Sequence, residues 1–141
     1  MVSQLRSYWR NTNQMPSILK PLCQGGMVAG PIMLFFILLP ISDWTVNGQK
    51  MSYYEFWRFG AGTSALTFVG LIAIGTWGMA ARKSWSRWTL VFAPLLPIAT
   101  IPRAMIPEFG MALASGVFFA AIFYECLFHL TAVRKYLLGD N

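Results

Sequence analysis

The sequence predicts an all-α membrane protein: a four-transmembrane-helix bundle with both termini inside, a small outer β-hairpin and an outer helical extension of the second helix. Three observations carry that expectation. Of the 141 residues, 56% are hydrophobic and only 11% charged, against about a quarter charged in an ordinary soluble domain. The apolar residues gather into blocks near 22–41, 59–81, 85–102 and 109–133, long enough to cross hydrocarbon at a helical rise of about 1.5 Å per residue. The third observation is the charge distribution. With four crossings, the inner segments hold Arg6, Arg10, Lys20, Arg82, Lys83, Arg87, Arg134 and Lys135, while the outer loops hold only Lys50, Arg58 and Arg103. Basic residues concentrate on the cytoplasmic side of membrane proteins, so both termini are expected there.

Little polar chain is left over, and residues 1–141 are read as a single membrane domain with helices near 22–41, 53–81, 85–102 and 109–133. The net charge of +6 does not point to nucleic acid, because the basic residues flank apolar blocks and form no soluble basic face. The expected surroundings are a lipid bilayer, in the setting of a bacterial inner membrane. Cys23 and Cys126 both fall toward inner helix ends, where thiols stay reduced.

Residues 1–21 mix Leu5, Tyr8 and Trp9 with Arg6 and Arg10, which suits a segment at the headgroup level, and Pro16 and Pro21 break it before the first crossing. No small-residue cleavage site follows Ile41, so that crossing is expected to stay as an anchor. It carries Gly26 and Gly30 four apart, a spacing that permits close helix contact.

The outer loop reads as Trp44–Val46, an Asn47-Gly48 turn and Gln49–Met51. Asn-Gly supplies the two positive-φ positions of a tight hairpin turn. A two-stranded ribbon alone is marginal, so it should pack on something. Ser52 and Glu55 then match a capping box that opens a helix. That helix is expected to run unbroken from about Tyr53 to about Ala81, its first turns forming an aromatic belt of Tyr53, Tyr54, Phe56 and Trp57.

Within the second crossing, Gly60, Thr63, Thr67, Gly70 and Gly78 recur at helical spacing, with Ile74 completing the stripe, and are expected to pack against Ala114 and Ala121 of the last helix. The link 82–87 is short, so the third helix returns antiparallel. Pro94, Pro97 and Pro102 remove backbone donors from it. A kinked helix held by neighbours follows, because freed carbonyls at membrane depth need partners.

The last block contains the only polar pair inside an apolar run, Glu125 and His129, one helical turn apart. On a helix, Gly110, Ala114, Ala121, Glu125, His129 and Ala132 share a face that should turn toward protein, leaving Phe119, Phe123, Leu127 and Leu130 toward lipid. A carboxylate and an imidazole so placed can relay a proton or hold a cation. The favoured reading is structural: Glu125 pairs with His129, Arg82 or Lys83, or reaches interfacial water. A mixed metal set of Cys23, Cys126, Glu125 and His129 would need ligands from distant helices with no ligand spacing to support it, so no metal and no cofactor are expected. No nucleophile–base pairing or glycine-rich phosphate loop is present, and an enzyme is the minority reading.

Asp43, Trp44, Tyr53, Tyr54, Trp57 and Arg58, with Arg103 and Glu108 from the second outer loop, supply residue types enriched at interaction hot spots. The leading functional expectation is therefore protein–protein interaction: an accessory subunit, or an immunity-type protector against a membrane-active toxin, whose partner is another membrane or extracytoplasmic protein. The layout is similar to that of immunity proteins to pore-forming bacteriocins, an analogy of architecture with no motif behind it. The alternative is a small transporter or channel, or a subunit of one, with Glu125 and His129 in an ion pathway; four helices are few for a lone transporter, so it implies a homo-oligomer.

Overall fold

A computed structural model describes residues 2–41, 44–46, 48–100 and 109–138. The chain is mostly helical with one small sheet, and three helical stretches are long and apolar enough to cross a membrane: Lys20–Leu38, Ala61–Ala80 and Gly110–His129. Their outward sides are apolar, with Ile32, Phe35, Phe36, Phe68, Ile74, Met111, Phe118 and Phe119 exposed. This is the surface of an integral membrane protein, because side chains that would be insoluble in water need no cover in lipid.

The first helix, α1 (Val2–Asn13), is amphipathic and turns into the second through Pro16, whose carbonyl accepts from the Leu19 amide at 2.9 Å. Helix α2 (Lys20–Leu38) starts with Pro21 in its first turn, where a missing N–H costs nothing. Beyond it stands the hairpin β1 (Trp44–Val46) and β2 (Gln49–Met51), antiparallel, with Trp44 opposite Met51 and Thr45 opposite Lys50. Gly48 has φ +79°, the left-handed conformation that its lack of a Cβ permits. The ribbon finds its support as expected: the Trp44 ring stacks on Phe56 at 4.4 Å and 7°.

Phe56 belongs to α3 (Tyr53–Arg58), which opens on the full capping box, Ser52 accepting from the Glu55 amide while Glu55 accepts from the Ser52 amide at 2.9 Å. The expected continuous helix over 53–81 is corrected here. Gly60 has φ +80° and ends α3, with its amide donating to the Trp57 carbonyl at 3.0 Å. A new helix, α4 (Ala61–Ala80), begins directly after it. A glycine in the left-handed region closes a helix instead of lying on its face.

Helix α4 is the centre of the molecule, packing chiefly on α2 and on α5 (Ser86–Phe92). Small residues set the approach to α2. A Cβ at Gly26 would lie 2.5 Å from Thr76 Cγ2, and one at Gly30 would lie 2.8 Å from the Ala73 Cβ. On the other side Gly75 faces Leu90, and Gly78 faces Ser86 and Trp85.

The third apolar block forms two short helices, α5 and α6 (Leu96–Thr100), where one kinked helix over 85–102 was expected. The break falls at Pro94, which has no N–H to give to the turn before it, although Ala93 still keeps helical dihedrals. Side chains hold the segment beyond the break: the buried Pro97 carbonyl accepts from Ser64 Oγ at 3.0 Å and from Thr100 Oγ1 at 2.7 Å.

Helix α7 (Phe109–Tyr124) packs on α5 and α6 and runs into one π-helical turn, Glu125–His129. Leu130 is extended, and α8 (Thr131–Leu138) follows. The expected helix over 109–133 is thus interrupted before its last turn. Around the wide turn, Phe128 stacks on Tyr124 at 4.9 Å, meets Trp88 at 4.8 Å and lies under the Arg87 guanidinium at 4.5 Å.

The buried core lies where α1, α2, the end of α4, α5 and α8 meet: Met15, Leu19, Cys23, Met27, Met79, Leu90, Leu127, Val133 and Leu137. Three polar contacts fasten it. Asn11 Nδ2 donates to the Ala80 carbonyl at 2.9 Å, while Tyr136 Oη reaches the carbonyls of Asn11 at 3.2 Å and Met79 at 3.4 Å.

Candidate functional site

Glu125 and His129 sit on the π-turn and are exposed, beside Tyr124, whose ring lies 5.6 Å from the imidazole. No hydrogen bond joins Glu125 to His129, Arg82 or Lys83 among the described residues. Arg82 is engaged elsewhere, donating to Gln14 Oε1 at 2.7 Å and resting 5.0 Å over the Tyr136 ring. The fastening expected of Glu125 is made instead by Tyr136 and Asn11. Burial pushes the Tyr136 hydroxyl above the ordinary phenol value, and the neighbouring Arg82 cation works against that rise.

Within the described chain, α7 packs by the side opposite to the expected one. Gly110, Ala114, Ala121, Glu125, His129 and Ala132 are all exposed, whereas Gly116, Ala120 and Leu127 are buried and Phe123 is half-buried. The reason lies in the broken helix opposite. A Cβ at Gly116 would lie 3.0 Å from the Pro94 carbonyl oxygen and 2.5 Å from Ile98 Cδ1, so Gly116 is the point at which α7 can approach α5 and α6. The pairing expected between Gly60, Thr63, Thr67, Gly70 and the Ala114–Ala121 stripe is corrected with it. Thr63 is exposed, Gly70 has open space where a Cβ would stand, and Gly60 is a helix terminator. Thr67 Oγ1 bonds within its own helix to the Thr63 carbonyl at 2.8 Å.

At the hairpin end the aromatic residues divide in two. Trp44 is stacked on Phe56, Trp57 lies against Gly62, and Tyr53 Oη donates to the Leu38 carbonyl at 2.8 Å, tying α3 to the end of α2. The indole nitrogens of Trp44 and Trp57 are buried without an acceptor among the described residues. Tyr54, 72% exposed, and Arg58 point away from the fold. Asp43, Arg103 and Glu108 lie outside the described residues. Hydrogen bonds from the Ser52 amide and hydroxyl hold the Glu55 carboxyl below its ordinary value.

Among the described residues, no three His, Cys, Asp or Glu side chains converge as a metal set would; Cys23 is buried and Cys126 half-buried, both as free thiols. A feature that sequence reasoning did not single out as a site is a recess of about 540 Å³ between α1 and the α2–α4 pair, lined by Arg6, Trp9, Arg10, Asn13, Met27, Val28 and Trp77. Its signal in the sequence is an arginine pair four apart around a tryptophan, ahead of an apolar helix. Comparison with protein-family models, with curated proteins and with solved structures returns no match.

Proposed function

We propose that this chain acts by contact with another membrane protein, as an accessory subunit, and that the contact runs along the outward face of α7. One observation carries this reading: the small-residue line Gly110, Ala114 and Ala121 leads to Glu125 and His129 on a face that is exposed among the described residues. Glu125 lies four residues inside the apolar window Gly110–His129, about 6 Å from its end. A carboxylate at that depth is costly without a partner, and small residues let a second helix come close enough to supply one. The outer surface is the weaker candidate, since Trp44, Tyr53 and Trp57 are occupied in holding the hairpin and α3. An immunity-type protector is the same reading with a membrane-active toxin as the partner. The transport reading has less behind it, since Ser64 and Thr100 already occupy the Pro97 carbonyl of the broken α5–α6 segment.

The accompanying topology is four crossings with both termini cytoplasmic in a bacterial inner membrane, α5 and α6 supplying the broken third passage. The bond between Tyr136 of α8 and Asn11 of α1 supports an even number of crossings, and the eight basic residues assigned to the inner segments support the orientation.

The test is purification of the tagged chain from native membranes in mild detergent, beside Ala121→Leu and Glu125→Gln variants. A co-purifying membrane protein is expected, with a yield that falls by a factor of about five to more than a hundred in Ala121→Leu, since overpacking costs about 1–3 kcal/mol. Undiminished recovery of the partner with both variants would overturn the proposal. Self-association alone would replace the accessory subunit with a homo-oligomer.

A further inference from the structure

We propose that the recess between α1 and the α2–α4 pair is a binding site for an anionic phospholipid, independent of whatever protein meets α7. Its rim and its floor differ in chemistry. Arg6 and Arg10 stand one helical turn apart on α1, with Trp9 between them, while Met27 and Val28 of α2 and Trp77 of α4 form an apolar floor. Neither guanidinium has a hydrogen-bond or carboxylate partner among the described residues, and the two described acids, Glu55 and Glu125, lie on α3 and the π-turn. Each guanidinium offers five N–H donors in a planar fork that matches phosphate oxygens.

The floor decides what carries that phosphate. Val28 is about half exposed on the apolar outer side of α2, so the recess opens toward the bilayer side of the helix. An acyl chain can enter there along Met27 and Trp77. At the rim, Asn13 faces Gln24 Nε2 across 3.5 Å and keeps its amide hydrogens for the glycerol or headgroup oxygens. Trp9, 47% exposed, has the amphipathic ring that favours the headgroup layer. Tyr8 braces the far wall, its ring edge-on to Trp77 at 5.5 Å. The volume of about 540 Å³ falls within the range of small-ligand pockets. A free polar anion would leave most of this lining unused, whereas a two-part amphiphile matches both halves.

The experiment is native mass spectrometry of the full chain in detergent supplemented with equal amounts of phosphatidylglycerol and phosphatidylcholine. Wild type should retain phosphatidylglycerol as its first bound lipid. The Arg6→Gln/Arg10→Gln variant, altered only at exposed side chains, should lose that preference by more than about tenfold. Val28→Trp, which fills the floor, should lower retention of both lipids; circular dichroism confirms that each variant is folded. Equal retention of the two lipids by wild type, or an undiminished preference in the double-arginine variant, would overturn the proposal. Displacement of phosphatidylglycerol by millimolar inorganic phosphate would also overturn it, by marking an anion site with no use for the acyl chain.

Discussion

Adding one methyl group to α2 should stabilise at Gly25 and fail to stabilise at Gly30. Both residues lie inside the same helix, so each Gly→Ala substitution removes backbone freedom from the unfolded chain, stabilising by up to about 1 kcal/mol. At Gly25 nothing lies within 4 Å of the new Cβ, and that gain stands alone. At Gly30 the new Cβ would meet the Ala73 Cβ at 2.8 Å and its Cα at 3.3 Å, and α4 backbone cannot rotate aside as a side chain would. Forcing a methyl into such a contact costs about 1–3 kcal/mol. Gly30→Ala should therefore be neutral to destabilising by about 2 kcal/mol, and the two variants should differ by about 1–3 kcal/mol. The assay is reversible unfolding in mixed micelles with a rising fraction of dodecyl sulfate, followed by circular dichroism. Adding Ala73→Gly to Gly30→Ala closes a double-mutant cycle that isolates the contact from helix propensity. Equal shifts in Gly25→Ala and Gly30→Ala, or a cycle with no coupling, would refute the α2–α4 packing described above.

Other expectations follow from single contacts. Tyr136→Phe removes the donor shared by the Asn11 and Met79 carbonyls; it should destabilise by about 0.5–1.5 kcal/mol and raise hydrogen exchange in α8 before other segments. Ser64→Ala strips one of two donors from the buried Pro97 carbonyl while Thr100 keeps the other, so a loss near the lower end of about 1–3 kcal/mol is expected in the same unfolding assay. The capping box is pH-dependent in a fixed direction. Because folding lowers the Glu55 value, its contribution is complete above the ordinary carboxylate value of 4.5 and is lost as pH falls through the folded value. Exchange of the Ser52 and Glu55 amides should rise at that acid limit beyond the intrinsic rate, and Glu55→Gln should keep the box while removing the pH dependence.

Local chemistry was the legible part of this sequence. Asn47-Gly48 between short β-prone runs and Ser52 three before Glu55 each announce a structure through neighbours in the chain, and the hairpin and the capped α3 appear where those residues stand. The close approach implied by Gly26 and Gly30 was legible too, although its partner, α4, was not. Phasing of α7 was hidden because two faces offered small residues, Ala114 and Ala121 on one and Gly116 and Ala120 on the other. The choice between them was made by Pro94 and Ile98, some twenty residues earlier, whose position depends on how the proline break resolves. Gly60 misled for a related reason: at helical spacing a glycine can be a packing surface or a terminator, and only its backbone conformation tells which. The π-turn at Glu125 had no sequence signature, since an added residue in a turn leaves the apolar pattern nearly intact.

The most direct test of association through α7 is photo-crosslinking in native membranes, with a photoreactive side chain placed in turn at Ala114, Phe118, Ala121 and Ile122. One protein adduct of constant mass is expected from Ala114, Phe118 and Ala121, together with its loss when Glu125→Gln is added. Adducts only to lipid at all four positions would contradict it.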